Sequence, residues 1–267
     1  MGQLQQMTGV ANPLQISRFL QVYDADAAKK GIELSIGFDF QAYVSITRVT
    51  PTKEPTSSSF QPDRSPIKSG DGFWMIGVDK NEEVAVVQAV RLFDLSCSNF
   101  AEHLESLKVY YADPTRHAHL HGAYTCTAPS AREITGRVAY HGDAWVRRDY
   151  RGQGMPKIMA GVAFGVSLAM WAPDFVCALV ARWLVDKGVV TQYGYTHDEA
   201  GGLRFVEQSV PSEYSLIWIT GEELRSRVER RERSELTSGG TQPLCGAVQE
   251  FGAHGRAFAP PACLCPR

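Results

Sequence analysis

From Leu14 to Gly31 the apolar residues fall at helical spacing, with Ile16, Phe19, Leu20 and Tyr23 on one stripe and Gly31 as a stop. Ile32 to Val49 alternates roughly as a strand does, and its length implies a break. Phe73–Val78 and Val84–Phe93 are rich in Val, Ile and aromatic residues, and the polar Asp79-Lys80-Asn81-Glu82 between them predicts a β-hairpin. Asn99–Leu107 reads as a short helix. Ser130 and Glu133 have capping-box spacing, which opens a single helical turn ending at Gly136.

The next pattern is the most informative. Arg137–Val146 reads as a strand, Met155–Trp171 as a helix that is apolar nearly all round, and Phe175–Val180 as a second strand. Strand, crossover helix and strand make a βαβ unit with parallel strands, and the helix has the character of one sandwiched in a core. A helix near Ala181–Lys187, a bend at Tyr193-Gly194-Tyr195 and a strand at Glu213–Thr220 follow. Thr220 and Glu223 have cap spacing and open a charged helix whose glutamates come first and arginines later, as a helix dipole favours.

Two stretches lack any period. Pro51–Gly72 carries Pro51, Pro55, Pro62 and Pro66 with a serine run, and reads as a long exposed loop. After about Ser234 the chain turns to Ser, Gly, Pro and Ala. The expected organisation is one domain over residues 1–233, with an N-terminal extension and the Pro/Ser-rich loop at 51–72, and a poorly ordered tail over 234–267.

Composition adds limits. The 267 residues suffice for one sizeable core, and 44% hydrophobic with 21% charged residues is ordinary for a globular protein. A formal net charge of −2 provides no general attraction to nucleic acid or anionic membrane, so neither is expected as a partner. Ile158–Ala172 has no charge but is shorter than the ~17–25 residues of a membrane span and ends at Pro173-Asp174. The start of the chain shows no secretory leader, and Gln6 stands where a myristoylation motif wants Ser or Thr. Cys97, Cys126 and Cys177 are scattered singly, so a cytoplasmic location is expected.

Val146-Arg147-Arg148-Asp149-Tyr150-Arg151-Gly152-Gln153-Gly154 joins the predicted strand to the predicted helix. A glycine-bearing turn at a helix start gathers backbone N–H groups and the positive end of a helix dipole about one point, which suits an anion. This run resembles V-x-P-x-x-R-G-x-G, the pyrophosphate-binding signature of the GNAT superfamily of N-acyltransferases. The resemblance spans roughly Phe73–Thr220. It implies a central mixed, mostly antiparallel sheet flanked by helices, an α/β fold with the parallel βαβ unit at the acyl-CoA site. It implies acetyl-CoA or another acyl-CoA as co-substrate, held by Trp145, Val146, Arg151, Gly152, Gln153, Gly154, Met155 and Lys157. The acceptor would be an amine on a small molecule or a protein, and a homodimer is allowed.

The chain departs from the pattern at Pro156, which has no N–H to offer a phosphate, and at Val190, where many members keep a catalytic tyrosine. Resemblance points to the Val146 N–H as the group that polarises the thioester carbonyl. His141 is the candidate base, with Asp143 able to orient it if both face one side; Tyr193, a candidate catalytic residue, and Tyr195 follow the second strand and could face the thiol, and the acid role is unassigned. His117, His119 and His121 would align only on a strand, and Cys245, His254, Cys263 and Cys265 lack finger spacing, so no metal is expected. A binding module without catalysis is the alternative reading.

Overall fold

The structure is a computed structural model that describes residues 12–120, 124–207 and 210–238. His121 and the Cys245, His254, Cys263 and Cys265 set lie outside the described residues, as does the tail from 239 onward. Eight strands form one sheet: β1 (Glu33–Gly37), β2 (Gly72–Val78), β3 (Val84–Leu95), β4 (Tyr124–Thr125), β5 (Gly136–Val146), β6 (Phe175–Ala181), β7 (His197–Glu207) and β8 (Val210–Thr220). Their order is β1-β2-β3-β5-β6-β8-β7-β4, antiparallel everywhere except between β5 and β6.

Helices cover both faces. On one side lie α1 (Pro13–Ala28), α5 (Met155–Trp171) and α8 (Gly221–Ser238), whose apolar residues share a core with Phe73, Met75, Val90, Val176 and Ile217 of the sheet. On the other lie α2 (Phe40–Val49), α3 (Phe100–Glu105) and the single turn α4 (Ser130–Glu133), over Ile76, Val87, Tyr140 and Leu216. The all-round apolar character of α5 follows from its position between the sheet and α1. Gly161 and Gly165 allow that contact, since a Cβ on Gly161 would lie 2.3 Å from the Tyr23 ring and one on Gly165 2.5 Å from Leu20.

Local signals realise most of the expected elements. Asn12 caps α1 with Pro13 in its first turn, and Gly31 ends the segment at a φ of 71°. Thr220 and Glu223 form a full capping box: the Glu223 N–H donates to Thr220 Oγ1 at 3.2 Å and the Thr220 N–H to Glu223 Oε2 at 2.9 Å. The spacing at Ser130 makes no box. Pro129 takes the cap position, and the Ser130 N–H donates to Glu199 Oε2 instead.

Two expectations are corrected, and two further features lie outside them. The strand pattern of 32–49 is strand only to Gly37; Asp39 accepts hydrogen bonds from Gln41 and Ala42 and starts α2, which buries Phe40, Tyr43 and Thr47 at helical spacing. The Pro/Ser-rich segment has no regular element beyond a short turn at Ser58–Phe60, but it is not simply exposed, because Phe60 and Ser59 are fully buried. Phe60 stacks on Phe40 and Tyr140, and Arg91 of β3 donates to the Ser59 carbonyl, Ser65 Oγ and the Pro66 carbonyl. The strand β7 escapes the period-2 pattern because Glu199-Ala200-Gly201-Gly202 interrupts its register with β8. The helix α8 runs on to Ser238, past the change in composition.

Arg91 is 8% exposed and binds the loop through three acceptors. Arg91→Leu should destabilise the protein by roughly 2–4 kcal/mol in urea unfolding, because buried acceptors lose their donor, and should open the 51–71 segment to limited proteolysis. Unchanged stability together with unchanged cleavage would refute this clamp.

Candidate functional site

The parallel pair β5/β6 is joined at only three positions, Val138↔Phe175, Ala139↔Val176 and Tyr140↔Cys177. Beyond them β5 continues only with β3, and β6 only with β8, so the sheet splits. A bulge turns β5 aside: between Val87↔Trp145 and Ala89↔Gly142 the strand carries one extra residue, and Asp143 takes a φ of 53°. The Asp143 carboxylate accepts the Tyr43 hydroxyl at 2.7 Å, Lys53 Nζ at 3.1 Å and the Ser57 N–H at 3.1 Å. Burial and this carboxylate together hold the Tyr43 hydroxyl pKa well above its ordinary value.

At the end of β5 one main-chain group faces the split. The Arg147 N–H donates to the Ala85 carbonyl, and Val146 stands opposite Val86 in the same register. Bonded and non-bonded pairs alternate along an antiparallel ladder, so the N–H and C=O of Val146 point away from β3. Arg151 Nε takes that carbonyl at 2.9 Å, and the N–H is left toward the gap.

The turn that follows is built on left-handed glycines, Gly152 at a φ of 74° and Gly154 at 76°, which residues with a Cβ adopt at a cost. The N–H groups of Gly152, Gln153 and Gly154 are exposed, and no described residue accepts from them. A Cβ on either glycine would meet nothing within 4 Å, so the space above the turn is open. Gln153 Nε2 donates to the Asp149 carbonyl, and Arg147 forks between Asp79, Glu83 and Asp149, fixing the turn to the β2–β3 hairpin.

Beside the turn a cavity of about 440 Å³ is lined by Gly154, Pro156, Lys157, Tyr193, Gly194 and Arg227, among others. Among the described residues its wall has two cations, Lys157 and Arg227, and no acidic side chain. Arg227 lies over the Phe164 ring at 5.4 Å, and burial lowers its pKa. The single turn α6 (Arg182–Val185) leads into the helix α7 (Val189–Tyr193), which Tyr193 ends, and Gly194 at a φ of 78° with the Tyr195 N–H bond to the Val190 carbonyl closes a Schellman turn. This turn directs Tyr193 into the cavity wall and Tyr195 into the core. Burial pushes the Tyr193 hydroxyl up to about 12.

The sheet is mixed and mostly antiparallel, with one parallel pair and helices on both faces, the arrangement that the resemblance of residues 146–154 implies. A scan against protein-family models finds no match, and none of the curated proteins matches the chain. Among solved structures, NAA60 of Arabidopsis thaliana in complex with acetyl-CoA is similar at 14% identity and a TM-score of 0.41, over 71% of this chain and 98% of that one. A GNAT superfamily phosphinothricin acetyltransferase from Sinorhizobium meliloti, in complex with AcCoA, is 10% identical with a TM-score of 0.41, over 71% and 88% of the two chains. FeeM, an N-acyl amino acid synthase from uncultured soil microbes, is 11% identical with a TM-score of 0.40, over 73% and 93%.

On this frame Gly154, Lys157 and Tyr193 share the cavity wall, Val146, Arg151, Gly152 and Gln153 adjoin it along the entry turn, and the buried Met155 joins them through its backbone alone. Two expected residues do not join this group, whereas the His141 ring lies with its centroid 6.0 Å from that of Tyr193. Trp145 belongs to the opposite face, where its indole donates to the Thr52 carbonyl at 3.2 Å. Asp143 does not orient His141, because the bulge sends it to Tyr43 and Lys53.

His141 is 2% exposed and both ring nitrogens are occupied. Gln88 Nε2 donates to the Met159 carbonyl, so its Oε1 accepts from His141 Nε2–H, and Nδ1 accepts the Tyr195 hydroxyl. The ring is a buried link between β3, β5 and α5 rather than a base open to an acceptor. Arg227 was not legible as a site residue, since nothing in the spacing of α8 ties it to the start of α5. Among the described residues no group of three or more His, Cys, Asp or Glu side chains is gathered as a metal site.

Burial lowers the His141 pKa to about 4, and burial with the nearby Arg91 and Lys108 does the same for His103. Both are neutral in the native state and bind protons on unfolding, so stability is fully present above ~6.5 and is lost as pH falls toward about 4. His141→Gln should flatten part of that acid limb in denaturation measured from pH 7 to pH 4. An unaltered slope would show that this histidine is not buried neutral.

Proposed function

We propose that this protein is an N-acyltransferase that moves an acetyl or other acyl group from a coenzyme A thioester to an amine by direct transfer. The observation that carries the reading is the exposed turn Gly152-Gln153-Gly154, whose N–H groups no described residue accepts from, opening the helix α5 beside Lys157 and Arg227. Such a cradle binds a diphosphate through main-chain donors and a helix dipole, with two cations to balance the charge. Pro156 removes one donor, and the flanking side-chain cations offset that loss.

The bound thioester would enter the split between β5 and β6, where the Val146 N–H can polarise its carbonyl. The amine nitrogen then bonds to the carbonyl carbon, the C–S bond breaks, and the proton released by nitrogen neutralises the thiolate. Tyr193 stays protonated at neutral pH and can donate a hydrogen bond to the departing sulfur. His141 has no part in proton transfer. The free thiols Cys97, Cys126 and Cys177 accord with a cytoplasmic setting for the enzyme.

Coenzyme A should raise the melting temperature, since a ligand bound only by the native state stabilises it. Lys157→Ala combined with Arg227→Gln should weaken that binding by about tenfold and reduce its salt dependence. No shift at millimolar coenzyme A would end this reading. A second reading, a binding module without turnover, is favoured by the engagement of His141 and by the aliphatic Val190. Thiol release from acetyl-CoA that requires an amine and drops in Tyr193→Phe separates the two; a shift without thiol release over a broad amine panel selects the module.

A further inference from the structure

On the face of the sheet opposite the α5 cavity, a second cavity of about 360 Å³ opens where the split begins. Gly142 of β5 and Leu179 of β6 border it, each two residues beyond the last joined pair, Tyr140↔Cys177. Its wall is aromatic. Tyr124 stacks on Phe205 at 5.2 Å and Phe205 on Tyr214 at 6.0 Å, with Tyr110 at 5.9 Å from Tyr124. Tyr140 is 7% exposed, and its ring packs on Phe60 and Phe100 behind the wall. Asp143 is the lining residue that carries a formal charge, and Lys53, its buried partner, is not part of the wall.

We infer that this cavity binds the acceptor, and that the acceptor is an arylalkylamine: an ammonium on a flat apolar body without a carboxylate or phosphate. Electron-rich phenol faces attract an alkylammonium and stack on an aromatic ring. Asp143 Oδ2 accepts only from Tyr43 and keeps a lone pair for a further donor. An anionic acceptor, such as a free amino acid, would bring a carboxylate to a wall in which none of the described lining residues is a cation, at a desolvation penalty. The fate of the bound amine rests on the acyltransferase reading, but its binding does not.

Calorimetric titration of the full chain with 2-phenylethylamine, phenylalanine and n-butylamine tests this, with coenzyme A thermal shifts measured in parallel. Phenylethylamine should bind about tenfold or more tightly than either of the others, because phenylalanine adds a carboxylate and butylamine lacks the ring. Phe205→Leu and Tyr214→Leu should each weaken phenylethylamine by about tenfold while leaving the coenzyme A shift unaltered. Tyr140→Phe, which keeps the ring and the packing, should weaken it less.

Equal or tighter binding of phenylalanine, or binding indifferent to both leucine variants, overturns the inference. A coenzyme A shift with no preference for phenylethylamine likewise overturns it and leaves the donor reading standing. Preferential binding of phenylethylamine without any coenzyme A shift supports it and removes the donor reading instead.

Discussion

A buried carboxylate at a strand bulge holds the site open. Asp143 sits in a left-handed conformation at the extra residue of β5, with its side chain 5% exposed and its oxygens shared among Tyr43, Lys53 and the Ser57 main chain. A charge so placed is stable only while its partners hold, because an unpaired carboxylate in that environment costs several kcal/mol. Those partners come from α2 and from the Pro/Ser-rich segment, so the packing of an irregular stretch decides where β5 leaves β6.

The consequence is a sheet with an opening on each face. Toward α5 the split meets a turn of free amides and two cations; toward α2 and α3 it meets a tyrosine-lined chamber. An anionic donor and an amine acceptor could then approach one carbonyl from opposite sides without competing for space. The Val146 N–H, directed into the gap by ladder alternation, stands between them.

The buried polar chain from Met159 through Gln88 and His141 to Tyr195 has a different role. Gln88 Nε2 donates to the Met159 carbonyl and also to Met75 Sδ, and the order along the chain is set by the helix carbonyl, which can only accept. It locks α5 to the sheet and holds the segment after α7, which fixes where Tyr193 stands. A histidine of this kind resembles a catalytic base in sequence and differs from one only in what surrounds it.

Whatever depends on neighbours along the chain could be read from the sequence. The hairpin of β2 and β3, the span of α5, the left-handed glycines of its entry turn and the Thr220–Glu223 box all follow from local spacing, conformational freedom and capping, which act within a few residues. Whatever depends on contacts distant in sequence could not. The burial of Phe60 between Phe40 and Tyr140, the side on which Asp143 falls, the engagement of both His141 nitrogens, the exclusion of Trp145, and the arrival of Arg227 at the α5 turn are set by which faces pack together. A single extra residue in one strand reverses the direction of a side chain, and only the folded sheet records where that residue is accommodated.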